Sequence, residues 1–265
     1  MPDLISGLFD TQAENLTMSK VVLITGGSRG IGRAAALLCA ARGWSIGVNY
    51  ATNRSAADET VARAEAAGGR AIAIQGDICE EADVIALFDA TVRAFGPIDG
   101  FVNNAGIVAP GSPLADMDIA RMKRVFDTNV LGAYLGAREA ARRMSTKRGG
   151  RGGSIVNVSS AAARLGSPNE YVDYAGSKGA VDTLTIGLAK ELGPEGVRVN
   201  AVRPGLIDTE IHASGGKPDR AAQLGALAPL GRPGTADEVA ESIVWLSSDA
   251  SAYVTGALLD VAGGR

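Results

Sequence analysis

The segment YVDYAGSKGA, residues 171–180, places Tyr171 and Tyr174 three positions apart and Lys178 four beyond the second tyrosine. A helix rises about 1.5 Å per residue, so a lysine four positions on lies about 6 Å along the axis on the same face, whereas one seven positions on lies about 10.5 Å away. Tyr174 can therefore sit beside Lys178, while Tyr171 packs or lines the mouth of a site. A free phenol titrates near pKa ~10 and exchanges protons reluctantly at neutral pH. A cation a few ångströms away favours phenolate and brings the group into acid–base range. Y-x-x-x-K arises by chance on many helices, so its weight comes from its surroundings. The single histidine, His212, supplies no acid–base network, and no cysteine or carboxylate pair is set for nucleophilic or metal chemistry. Ser159 and Ser160, ending the run IVNVSS, are hydroxyls just before the tyrosine segment, and either can stabilise a developing alkoxide.

The elements that must position these groups alternate along the chain. Short β-branched runs, VVLIT (21–25), SIGVNY (45–50), AIAIQGD (71–77), IDGFVNNAG (98–106), SIVNVSS (154–160), VRVNAVRPG (197–205) and ALLDVAGG (257–264), are separated by alanine-rich helical patterns. One long helical stretch is expected over IARMKRVFDTNVLGAYLGAREAARRM, residues 119–144. Strand–helix alternation with nearly uninterrupted apolar strands predicts an α/β fold whose parallel sheet is covered on both faces. Ligands bind such a sheet beyond the carboxyl ends of its strands, where TGGSRGIG, GD, NNAG, SS and RPG all fall.

TGGSRGIG (25–32) closes the first strand and opens the first helix, so Gly26, Gly30 and Gly32 stand where a backbone turns tightly and approaches a pyrophosphate. Amides at the helix N-terminus then face the phosphates. An NAD-type site carries an acid about 20 residues on, gripping the ribose hydroxyls; VNYATNR has none, and the nearest, Asp58, lies in the next helical pattern. A 2′-phosphate is tolerated there, with Arg29 and Asn53 or Arg54 to neutralise it, so NADP(H) is favoured over NAD(H). With a hydride carrier bound, the chain itself needs to provide one proton and alkoxide stabilisation.

Composition limits the alternatives. The chain has 265 residues, 46% of them hydrophobic, with a net charge of -3. That is enough for one large core and lacks the basic excess of a nucleic-acid binder. The basic run ARRMSTKRGGRGG (141–153) reads as a helix end feeding a solvated loop. Cys39 and Cys79 have no metal or redox spacing and suit a reducing, cytoplasmic compartment. No apolar run reaches the ~18 residues of a membrane span. Residues 1–19 read as a loose extension with Met18 as a candidate start, and residues 20–265 as one domain.

Taken together, TGGSRGIG, NNAG (103–106), Asn129 in TNV, VSS, YAGSK and RPG resemble, in order, the signatures of the short-chain dehydrogenases/reductases over about residues 19–264. The resemblance implies a single-domain, Rossmann-type, doubly wound sheet of seven parallel strands with three helices on each face, assembled as a homotetramer or homodimer. It implies that Ser160 polarises the substrate carbonyl, Tyr174 exchanges the proton, Lys178 holds the nicotinamide ribose and depresses the phenol pKa, and Asn129 holds a relay water. It also implies cofactor contacts at Ser28, Ile31, Asn49 and Tyr50, at Asp77 and Ile78 for adenine, and at Asn103, Ala105 and Gly106 for the adenosine ribose. Ile207 and Thr209 would bind the carboxamide after Pro204 and Gly205.

Substrate contacts are expected from the irregular segment 206–231, whose glycines and proline suggest a mobile lid containing His212. With Tyr171 and Glu170 nearby, its polar character suits a hydroxylated small molecule, and the pattern resembles polyol dehydrogenases of the family. The alternative is reduction of 3-oxoacyl thioesters on an acidic carrier protein. Arg151 stands where carrier-binding relatives present an arginine, but Glu195 occupies the other such place with the wrong sign. A non-catalytic NADP-binding protein on the same fold would show a broken catalytic set, whereas Asn129, Ser160, Tyr174 and Lys178 are all present.

Overall fold

Strand β1 (Val21–Ile24) turns Val22 and Ile24 to one face and Val21 and Leu23 to the other, because successive strand side chains alternate. All four are buried, so the strand needs an apolar layer on each side. The structure, a computed structural model, describes residues 19–265 other than Pro218 and the side chains of His212 and Ser214. The expected extension, residues 1–19, lies outside the described residues apart from Ser19.

After β1 come α1 (Gly30–Ala41), β2 (Ser45–Tyr50), α2 (Arg54–Ala66), β3 (Arg70–Gln75), α3 (Glu81–Phe95) and β4 (Gly100–Asn103). The second half runs α4 (Ile119–Phe126), α5 (Ala133–Met144), β5 (Gly153–Val158), α6 (Ala162–Leu165), α7 (Val172–Leu192) and β6 (Val197–Pro204). It continues through β7 (Ile207–Asp208), α8 (Ile211–Ser214), α9 (Arg220–Gly225), β8 (Gly234–Thr235), α10 (Ala236–Ser247) and β9 (Leu258–Val261). The main sheet has seven strands in the order β3-β2-β1-β4-β5-β6-β9, all pairs parallel. The order reverses between β1 and β4, which opens a crevice at the carboxyl ends of those strands.

Two cores result. On one face, Val22 and Ile24 pack with Ala35, Cys39 and Ala40 of α1, Ala64 of α2 and Ile243 of α10. On the other, Val21 and Leu23 pack with Leu87 and Phe88 of α3, Met144 of α5 and Leu192 of α7. The three-helices-per-face arrangement expected from the sequence is therefore found. Its small residues let α1 lie close to the sheet, whereas Phe88 and Phe101, with ring centroids 5.2 Å apart, fill the wider opposite layer.

The helix expected over residues 119–144 is one continuous rod with a π-helical turn at Asp127–Gly132. A π turn inserts an extra residue and re-aims a side chain, a feature frequent at functional sites. Here the side chain is Asn129, 1% exposed. Segment 206–231 is less irregular than expected: β7 pairs with β8, and α8 and α9 lie between them.

Candidate active site

A cleft of about 820 Å³ opens over the carboxyl ends of the strands. One end is built by the β1–α1 loop. Gly26 has φ +61° and Gly30 φ +51°, the left-handed region where glycine is favoured. A Cβ on Gly32 would lie 2.4 Å from the Gly26 carbonyl oxygen, so the first helical turn can approach the loop only without a side chain there. Neighbouring strand ends clasp this loop. Asn49 Oδ1 accepts from the Gly26 amide at 3.1 Å while its Nδ2 donates to Gly76 O at 3.0 Å. Thr25 Oγ1 accepts from the amides of Asn104 and Ala105 at 2.9 and 3.0 Å, and Asn104 Nδ2 donates to Thr25 O at 2.8 Å. The loop is held before any ligand arrives, and α1 has no acid in its first turn to compete with a phosphate.

At the other end, β5 delivers two serines with different fates. Ser159 is 2% exposed and its hydroxyl donates to Lys178 O at 3.2 Å, which ties α7 to the sheet. Ser160 faces the cleft and hydrogen-bonds the Tyr174 phenol. Tyr174 and Lys178 share one face of α7, with the Lys178 ammonium 5.7 Å from the phenol ring centroid and donating to Val158 O at 2.8 Å. Burial pushes the Tyr174 phenol up, and the Ser160 hydrogen bond opposes it. Burial also pushes Lys178 down to about 8, against the opposing field of Asp182. The depressed phenol expected from the lysine is therefore not what this geometry shows: the ammonium faces a backbone carbonyl, and desolvation outweighs the remaining help.

The family model described as Enoyl-(Acyl carrier protein) reductase matches residues 26–265. The chain is a short-chain dehydrogenase/reductase. This short-chain dehydrogenase/reductase is 52% identical over 245 residues to the Escherichia coli (strain K12) uncharacterized oxidoreductase YgfF, covering 92% of this chain and 99% of the relative. It is 43% identical over 255 residues to the L-rhamnose 1-dehydrogenase (NAD(P)(+)) of Sphingomonas sp. (strain SKA58), covering 94% and 97%. Among solved structures, 3-ketoacyl-(acyl-carrier-protein) reductase from Brucella melitensis complexed with NADH superposes with a TM-score of 0.85 at 32% identity, covering 93% and 98%. An oxidoreductase acting on CH–OH groups follows from these relationships.

Most residues expected at the cofactor line the reductase cleft: Gly26, Ser28, Arg29, Gly30 and Ile31; Asn49, Tyr50 and Asn53; Asp77 and Ile78; Ala105 and Gly106; Pro204, Gly205, Ile207 and Thr209. Others sit elsewhere. Gly32 packs behind the loop. Arg54 is exposed and held by Asp58 at 2.8 and 2.9 Å; it does not itself line the cleft but interacts with Tyr50, which does. The Asn103 side chain points inward, donating to Ala133 O and Asn157 Oδ1; the neighbouring Asn104 meets the cleft instead. Asn129 spends its amide internally, accepting from Ile107 N at 2.8 Å and donating to Ile107 O and Ser177 Oγ. Its side chain therefore pins the loop after NNAG, with both Nδ2 protons engaged and one acceptor position left on Oδ1.

On the substrate side, Tyr171 lines the cleft beneath the Arg220 guanidinium, 5.1 Å from the ring centroid. Glu170 turns away to Lys217 at 2.5 Å and Arg220 at 2.6 Å. Burial raises its carboxyl but these two cations outweigh it, so it stays below the usual range. His212 lies in α8, its side chain outside the described residues. Arg220, Glu210 and Arg265 also line the cleft and were missed, since only the folded lid and C-terminus bring them there.

Proposed function

We propose that the chain is an NADP(H)-dependent enzyme interconverting a secondary alcohol, sugar or polyol-like, and its carbonyl, with Tyr174 as the acid–base group. The observation that carries this is the convergence of Ser160, Tyr174 and Lys178 on one wall of a cleft whose far end is the clasped glycine loop. The cradle fits a dinucleotide: the position a Gly32 side chain would occupy is already filled, and the first turn of α1 carries no acid of its own, although Glu210 Oε2 stands 3.6 Å from where a Gly30 Cβ would lie. Residues of the β1–α1 loop would hold the pyrophosphate, Asp77 and Ile78 the adenine end, and Lys178 the nicotinamide ribose. When bound, the nicotinamide supplies or takes the hydride.

The chain's own residues do the rest. Ser160 donates toward the carbonyl oxygen, stabilising negative charge as it develops. Tyr174 gives its proton to that oxygen in reduction and takes it back in oxidation. Lys178 keeps a positive charge under the phenol and stabilises phenolate once an oxygen ligand draws it from Val158. NADP(H) over NAD(H) is supported by the end of β2, where Tyr50, Ala51, Thr52 and Asn53 border the cleft opposite the exposed Arg29 and no acid stands among them. Free thiols at Cys39 and Cys79 suit the cytoplasm.

The Brucella neighbour favours a second reading, 3-oxoacyl-thioester reduction. Against it, Arg151 is paired with Asp99 at 3.0 Å, and the other place holds an anion, Glu195, paired with Lys147 at 3.1 Å. A panel of sugars, polyols, small ketones and acyl thioesters, read by NADPH absorbance, separates the two. Tyr174→Phe is expected to lower turnover about 10²–10⁴-fold with cofactor binding retained. Unchanged turnover would remove the proposed proton donor.

A further inference from the structure

We infer that Arg121 is a positioning residue for the proton donor. The inference rests on the acid–base reading of Tyr174. Arg121 belongs to α4, carries no cleft-facing group and has a side chain 9% exposed. Its guanidinium grips Asp173 with a two-point fork, Nε to Oδ2 at 2.9 Å and Nη2 to Oδ1 at 3.2 Å. The same guanidinium donates to Glu170 O at 3.3 Å and to Pro110 O. Asp173, 2% exposed at its side chain, also accepts from the Tyr174 amide through Oδ1 at 2.9 Å. One cation therefore joins three pieces of backbone that border the reacting end of the cleft: the loop after NNAG at Pro110, residue 170, and the first turn of α7, where Tyr174 sits.

Stability alone is a poor reason for this arrangement. Desolvating two charges offsets much of their attraction, and apolar replacements of buried pairs are often neutral or stabilising. What the fork supplies is direction. A planar guanidinium satisfies a carboxylate and two carbonyls in a fixed geometry that an ammonium cannot copy. Tyr174 stands only one turn into its helix, where the backbone lacks hydrogen bonds from a preceding turn. The Asp173 carboxylate accepts from one of the first-turn amides, that of Tyr174, and the arginine holds the carboxylate in place. Loosening this turn moves the phenol relative to Ser160 and Lys178, and a displacement of about 1 Å at a reacting group costs on the order of 10²-fold in rate.

The test compares Arg121→Lys, Asp173→Asn and Tyr174→Phe with the wild type, each saturated with NADP(H). Turnover is read on the panel compound the wild type converts fastest. The Tyr174 phenol titration is obtained as the absorbance difference from Tyr174→Phe. Arg121→Lys and Asp173→Asn are expected to lose about tenfold or more in kcat, keep KM for NADP(H) within about twofold, and displace or broaden the phenol titration. Unchanged kcat and titration in the folded variants, whatever happens to Tm, would show that the pair only stabilises the fold and would overturn the inference. If Arg121→Lys fails to fold, Asp173→Asn decides alone, because it is isosteric and leaves the guanidinium its two carbonyl partners. Full turnover in Tyr174→Phe would overturn the acid–base reading and this inference with it; an inactive Tyr174→Phe beside an unaffected Arg121→Lys overturns the inference alone.

Discussion

Lys178 holds an ammonium where water scarcely reaches, 4% exposed, and its native pKa falls from 10.5 to about 8 as a result. The unfolded chain therefore binds more protons than the native one between those two values, and stability rises with pH across that window. Below pH 8 the full penalty is present; above 10.5 it is gone. Lys178→Met removes it, so the variant is expected to melt above the wild type at pH 7, with the gap closing by pH 10.5. Melting curves in a buffer series measure this, and a gap that stays constant with pH would mean that the ammonium is not desolvated. Arg29 and Arg54 separate just as sharply. Arg29 borders the cleft without an ion-pair partner among the described residues, while Arg54 is already neutralised by Asp58. Arg29→Ala is expected to reduce the kcat/KM preference for NADPH over NADH by about tenfold, a charge-assisted contact or two. Arg54→Ala is expected to change it far less.

Among elements, the first helix and the lid work by opposite means. The α1 entry is tight: the alanine Cβ in Gly32→Ala would meet Gly26 O at 2.4 Å and Asn104 Nδ2 at 2.6 Å, both parts of the clasp that shapes the loop. That substitution is expected to destabilise the fold by about 1–3 kcal/mol and to weaken NADPH binding in a fluorescence titration. Retention of both would mean that the loop gives way easily. The lid is fastened lightly. Lys217 and Arg220 reach Glu170 through ion pairs that water partly screens, with side-chain exposures of 49%, 16% and 29%. Pairs of this kind contribute up to about 1 kcal/mol each, a strength that would suit the mobile lid expected from the sequence. Glu170→Gln is expected to speed limited proteolysis within residues 206–231 by up to roughly fivefold and to raise substrate KM, with NADPH affinity unchanged. Equal cleavage rates would show that the latch does not hold the lid.

At the scale of the whole molecule, α4, the π turn and α5 leave Phe126, Leu131 and Tyr134 between 41% and 47% exposed along one stretch. Apolar side chains gathered in this way mark contact surfaces, and members of this family are often oligomeric. We propose that the homotetramer or homodimer implied by the family resemblance covers these side chains. Leu131→Arg is expected to lower the mass measured by light scattering, and a wild-type monomer would remove the proposal. Because Asn129 and Arg121 lie on this rod, dissociation is also expected to reduce turnover, which assays across a dilution series measure.

The sequence by itself determined the sheet, its order of strands and helices, and the rim on which the chemistry stands, because each depends on local periodicity: alternation in strands, a 3.6-residue period in helices, glycine at turns. It likewise singled out Tyr174 over Tyr171, since helical rise alone decides which tyrosine can reach Lys178. It left Ser159 and Ser160 equal until resemblance favoured one; adjacent strand residues face opposite ways, and only the packed sheet shows Ser159 holding α7 while Ser160 faces the cleft. The direction of the phenol and ammonium shifts was equally out of reach, because desolvation depends on everything packed around a group. The joining of Arg121 to Asp173, 52 positions apart, belongs to tertiary structure for the same reason. No local pattern marks two charges that meet only when α4 and α7 pack together.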